Sequence, residues 1–202
     1  MNGFGRWVGV HAPAPLVVAW ALACAAELSL GSFPTLLPWA PEIDLRWGLL
    51  LPMLTIATVV SMMHSGLAAF ERSTARRWRP ARAGWCLLLT AFALLPALGT
   101  QDGLALDGSL RNRLVCLALA VLASLVMPAT LAVLPSTILM LVAMLLAGAA
   151  DAGARTGPAH LLEPRATPLH WAVAVGVWLL AVGAYAVAYP RRPSEPTRGE
   201  SA

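Results

Sequence analysis

Residues 114–150, LVCLALAVLASLVMPATLAVLPSTILMLVAMLLAGAA, run for thirty-seven positions without one charged side chain. A helix crossing a bilayer needs about 20 apolar residues, so the tract is too long for a single span. Pro128 and Pro135 stand in its middle, and a proline removes a helical hydrogen bond and clashes with the preceding turn. The tract therefore reads as two helices, 114–127 and 136–150, joined by a tight turn over 127–136.

Four further apolar runs flank it, at 14–30, 47–70, 83–98 and 171–189. The whole chain is 58% hydrophobic and 12% charged over 202 residues, with a mean hydropathy of +0.71. Six spans of roughly 20 residues leave only short connections and two small tails. The expected fold class is all-α, a polytopic transmembrane bundle of about six spans with both termini inside. Any function must then reside in the bundle and its loops.

Outside the spans, residues 1–13 place Phe4, Trp7, Val8 and His11 at helical spacing, as an interfacial lead-in helix would, although Gly3 and Gly5 disfavour so short a helix. A cleaved signal peptide competes for the first run, since Arg6 precedes it and Ala23-Cys24-Ala25 resembles a cleavage site. Residues 32–46 hold Pro34, Pro38 and Pro41 and read as irregular, and 190–202 read as a disordered cytoplasmic tail.

All fourteen basic residues are arginines. Most flank apolar runs, which points to membrane anchoring and not to nucleic acid. The absence of lysine excludes a P-loop lysine and a Schiff-base lysine, so the chain cannot be its own P-loop ATPase. Cytoplasmic connections carry the arginine excess. With the N-terminus inside, nine arginines fall on that side and five on the other, and the cluster in 71–82 decides the count.

That connection, ERSTARRWRPAR, is the most charged stretch of the chain. Arg72, Arg76 and Arg79 share one face of a short helix at i, i+4, i+7, Glu71 sits at its start where the helix dipole favours an acid, and Pro80 ends it. Together with Arg82 these residues form either a docking surface for a cytoplasmic partner or an anchor touching lipid phosphates.

Glu27 is the sole carboxylate well inside an expected span, and such acids are functional candidates because burying them is expensive. It lies about 6 Å from the outer end near Gly31, and shares a small-residue face with Ala19 and Ala23. His64 lies about 10 Å from the opposite end of the second span, so a direct Glu27–His64 pair is not expected, and a buried, hydrogen-bonded histidine is the plainer reading. Cys24, Cys86 and Cys116 read as small buried hydrophobes. No H-E-x-x-H, G-x-S-x-G or paired intramembrane aspartates occur, and His11, His160 and His170 are too scattered to argue for a metal. Neither enzyme chemistry nor a cofactor is indicated.

Taken in order, the features are an interfacial lead-in, two spans, a basic connection, two spans, a tight turn and a polar external interruption before the last span. This layout resembles the six-helix permease subunits of type-2 ABC exporters. The resemblance covers nearly the whole chain and rests on topology, with Glu71, Thr74 and Arg82 only loosely matching the family's acidic, threonine and arginine positions. It implies that 71–82 is the coupling segment docking on a separate ATP-binding subunit, and that 150–170 is an outer re-entrant element. It also implies a homo- or heterodimer in the cell membrane that exports a hydrophobic or amphipathic molecule. The alternatives are a non-transporting scaffold whose basic connection recruits a cytosolic protein, and a small secondary transporter working through Glu27.

Overall fold

The computed structural model describes residues 14–31, 34–37, 40–64, 75–99, 105–149, 161 and 166–187. Within these the chain is helical, with one short hairpin. Its elements are α1 (Ala14–Leu30), β1 (Pro34–Leu37), β2 (Ala40–Arg46), α2 (Trp47–Leu50), α3 (Pro52–Met63), α4 (Ala75–Leu94), a 3₁₀ turn (Leu95–Leu98), α5 (Leu106–Ser124), α6 (Leu134–Ala149) and α7 (Pro168–Val187). The lead-in 1–13, the tail 190–202, residues 65–74 and most of 150–165 lie outside the described residues.

α5 is the central element, packing against α3, α4, α6 and α7. From Leu114 onward its sequence is apolar or small, and Leu117, Ala118, Ala120 and Val121 are all buried among its neighbours. The core continues through Ile56, Val59 and Val60 of α3, Trp85 and Leu89 of α4 and Met140 of α6. Between α4 and α7, the Trp178 indole donates to Thr90 Oγ1 at 3.1 Å. α1 packs on α3. Its C-terminal end is tied to α2 by Gly48 N donating to Gly31 O at 3.1 Å, while Gly31 N returns to Glu27 O at 3.0 Å. A Cβ at Gly31 would stand 2.6 Å from that same Glu27 oxygen, so this return demands glycine.

The apolar tract comprises α5 and α6, with the break falling between Ser124 and Leu134, where Pro128 sits in the turn and Pro135 in the first turn of α6. A proline so close to a helix start replaces an amide that would lack an intrahelical partner anyway.

Three local expectations are corrected. Within 32–46, read as irregular, Pro34–Leu37 and Ala40–Arg46 pair as antiparallel strands in the register Pro34↔Arg46, Thr35↔Leu45 and Leu36↔Asp44. The alternation Glu42, Ile43, Asp44, Leu45 is a strand-period signal that the three prolines obscured. Pro80 does not end the basic helix, since α4 runs through it to Leu94. The cost is one backbone bond near the helix start, and buried Arg82, Trp85, Cys86, Leu89 and Ala93 hold the helix to the bundle at helical spacing. Finally, α5 begins at Leu106 and not at 114, because Arg111, Asn112 and Arg113 find partners inside the fold and extend the helix by two turns.

Among the described helices α7 alone is both long and apolar enough to cross a bilayer, and Ala14–Leu30, Trp47–Met63, Arg82–Leu98 and Leu134–Leu146 are shorter apolar helices. The outer surface is rich in large apolar side chains: Leu22 is 66% exposed, Leu54 53% and Leu180 62%.

Candidate functional site

Three consecutive α5 residues organise the polar interior. Successive helical residues point about 100° apart, so Arg111, Asn112 and Arg113 diverge. Arg113 turns toward α1 and α3, where its Nη2 forms an ion pair with Glu27 Oε1. The second carboxylate oxygen, Oε2, accepts from Thr55 Oγ1 at 3.0 Å. Glu27, Thr55 and Arg113 are all buried, and Glu27 has no exposed surface. Moving either charge out of water costs several kcal/mol, so each is tolerable here only because the other is present. Cys24 stands one turn before Glu27 and Cys116 one turn after Arg113, which puts both thiols on this seam. Ser136 Oγ donates to Cys116 O at 2.7 Å and fastens α6 to the same stretch of α5.

Beside the pair is a cavity of about 10 Å³, lined by the polar Ser109, Asn112 and Arg113 and by Met53, Cys116 and Met140. That is room for about one water molecule.

Arg111 and Asn112 turn toward α7. Arg111 Nε and Nη2 donate to Asn112 Oδ1 at 3.0 and 2.9 Å. Arg111 Nη2 and Asn112 Nδ2 both donate to Leu161 O, each at 2.6 Å. Arg111 Nη1 lies 3.4 Å from His170 Nδ1. One turn earlier, Asp107 Oδ2 accepts from the backbone N–H of Ala166 at 2.9 Å. That bond, ahead of the nearby Arg111 charge, holds the Asp107 carboxyl below its usual range. A carboxylate whose value is lowered in the folded state contributes stability above its unfolded range, near pH 4, and loses it as pH falls through the lowered value. The amide of Ala166 is therefore expected to lose hydrogen-exchange protection below about pH 4. Asp107→Asn, which keeps an acceptor oxygen, should retain protection throughout; equal acid sensitivity in that variant would assign the effect elsewhere.

The residues singled out from sequence do not converge. Glu27 joins the buried ion pair. His64 closes the far end of α3, nine residues beyond Thr55 and so roughly 13 Å along the helix. Glu71 and Arg72 lie outside the described residues, as does the side chain of Arg76. Arg79 is exposed on α4, but Arg82 is buried. Arg82, grouped with the docking residues from sequence, lies on the face of α4 that carries Trp85 and Leu89 inward. Thr55, Arg111, Asn112 and Arg113 were not anticipated. A lone intramembrane acid implies a partner, and the arginines just ahead of the apolar tract were the available signal. Among the described residues no three His, Cys, Asp or Glu side chains gather as a metal site.

The chain matches no protein-family model, no curated protein and no solved structure.

Proposed function

We propose that this chain is an integral membrane protein with both termini cytoplasmic, acting as the permease-like subunit of an ABC-type exporter driven by a separate ATPase. The observation that carries the membrane reading is the inversion of polarity. Leucines and valines cover the outside of α1, α6 and α7, while Glu27, Arg111 and Arg113 are buried. Water has no reason to favour that distribution, whereas in a bilayer the charges must turn inward and pair. The spans in this reading are 14–30, 47–70, 83–98, 114–127, 136–150 and 171–189.

Two features support the export reading over its rivals. The arginine cluster of 72–82 spans the residues just ahead of α4 and its first turns, and Arg79 there is exposed, which supports a basic docking place for an ATP-binding subunit. Proton-coupled transport through Glu27 is weakened because both carboxylate oxygens already take donors from Thr55 and Arg113. The transported molecule would be hydrophobic or amphipathic, passing along a path at a dimer interface.

Copurification after gentle detergent extraction tests this reading. An ATP-binding subunit is expected with the wild-type chain and is expected to be lost when Arg72, Arg76 and Arg79 are all changed to alanine. Retention of the complex in the triple variant would remove the docking role, and absence of any ATPase from the wild-type preparation would remove the export reading.

A further inference from the structure

The last turn of a helix leaves its carbonyls without intrahelical partners, and at the end of α3 the neighbouring helices supply them. Met62 O accepts from Trp85 Nε1 of α4 at 3.4 Å, and Met63 O accepts from Tyr185 Oη of α7 at 2.9 Å. Ser61 O accepts from the backbone N–H of His64 at 3.2 Å. The His64 ring lies between two more carbonyls, with Nδ1 3.0 Å from Val60 O and Nε2 3.2 Å from Ser124 O at the end of α5. A neutral imidazole carries a single N–H, so it donates either to its own helix or across to α5. The chain leaves this turn directly into residues 65–74 and re-enters the described structure in α4 at Ala75.

We propose that Trp85, Tyr185 and His64 are positioning residues that fix the end of α3 to α4, α7 and α5, so that these helices take their relative places from this turn. The three tethers come from α4, from α7 and, in the tautomer whose Nε2 donates, from the His64 ring to α5, and converge on three successive residues, Met62, Met63 and His64. General packing holds helices at many points along their length. Here the links are directional hydrogen bonds to backbone oxygens, and they are available only while α3 stays helical to Met63 and its cap keeps its shape. The N-terminal part of α4, where Arg79 is exposed, then takes its place relative to α5 from this turn. The inference stands apart from the export reading, because it concerns the free chain and holds whatever docks on the connection.

Spin labels at Arg79→Cys and Val126→Cys, both exposed positions, in a background with Cys24, Cys86 and Cys116 changed to alanine, would read the distance from the start of α4 to the end of α5 in detergent. Tyr185→Phe, which removes one hydroxyl, and His64→Phe, which keeps a ring, are each expected to broaden the distribution and shift its mean by about 1–2 Å, the scale of a helix shift. Trp178→Phe removes a bond of similar kind in the middle of the bundle and should leave the distribution unchanged. An unchanged distribution in both Tyr185→Phe and His64→Phe would overturn the proposal. So would equal broadening by Trp178→Phe, which would mean that any lost contact loosens these helices. Should one of the two tether variants not elute as folded protein, the other decides alone.

Discussion

Replacing Arg113 with methionine is expected to destabilise the protein by about 3–5 kcal/mol, the usual cost of leaving one member of a buried ion pair without the other. Glu27 would keep the Thr55 hydroxyl at 3.0 Å but lose the guanidinium that pairs with it. Glu27→Leu is expected to do comparable damage from the other side, stranding the guanidinium. The double variant Glu27→Leu, Arg113→Met is expected to lie closer to the wild type than either single change, because two apolar side chains of similar bulk satisfy one another. Reversible unfolding in detergent micelles, followed for all four proteins, gives the coupling directly. Costs that simply add, or an Arg113→Met cost below about 1 kcal/mol as for exposed pairs, would show that the two charges do not meet.

Arg111→Ala is expected to cost about 3 kcal/mol, counting each of its two acceptors, Asn112 Oδ1 and Leu161 O, once at roughly 1.5 kcal/mol for a charged donor. The guanidinium spans Asn112 Oδ1 and Leu161 O at once. Arg111→Lys should recover less than half of the loss, since a single ammonium does not reproduce the planar fork. Because Asn112 Nδ2 donates to the same Leu161 oxygen, Asn112→Ala and Arg111→Ala should be strongly non-additive. Amide exchange at Ala166 and Thr167 offers a local check: protection there should fall in Arg111→Ala and stay intact in Arg113→Met, which acts on the other side of α5. Equal loss in both variants would mean that the outer end of α5 opens as one unit.

The helical class was legible because it rests on local quantities. The long apolar runs at 14–30 and 171–189 and the prolines at 128 and 135 are read along the chain, and α1, α7 and the α5–α6 break occupy those places. The misread boundaries share one cause. Arg111 and Arg113 resembled a polar connection because a charge in sequence is normally a charge in water, and only their partners 50 and 86 residues away place them within a helix. Pro80 resembled a stop for the same reason, since the packing that carries α4 past it comes from α3, α5 and α7.

Sequence by itself therefore determined that this chain is a set of apolar helices, that its basic charge is all arginine with its densest cluster in 72–82, and that Glu27 is an acid in an apolar setting. Tertiary structure alone decided that Glu27 meets Arg113 and Thr55, that Arg82 turns inward, and that the end of α3 is held by Trp85, Tyr185 and His64. Periodicity reports which side of a helix is apolar. It carries no information about which other helix will cover that side, because this depends on loop reach and on the match of polar groups across the whole bundle.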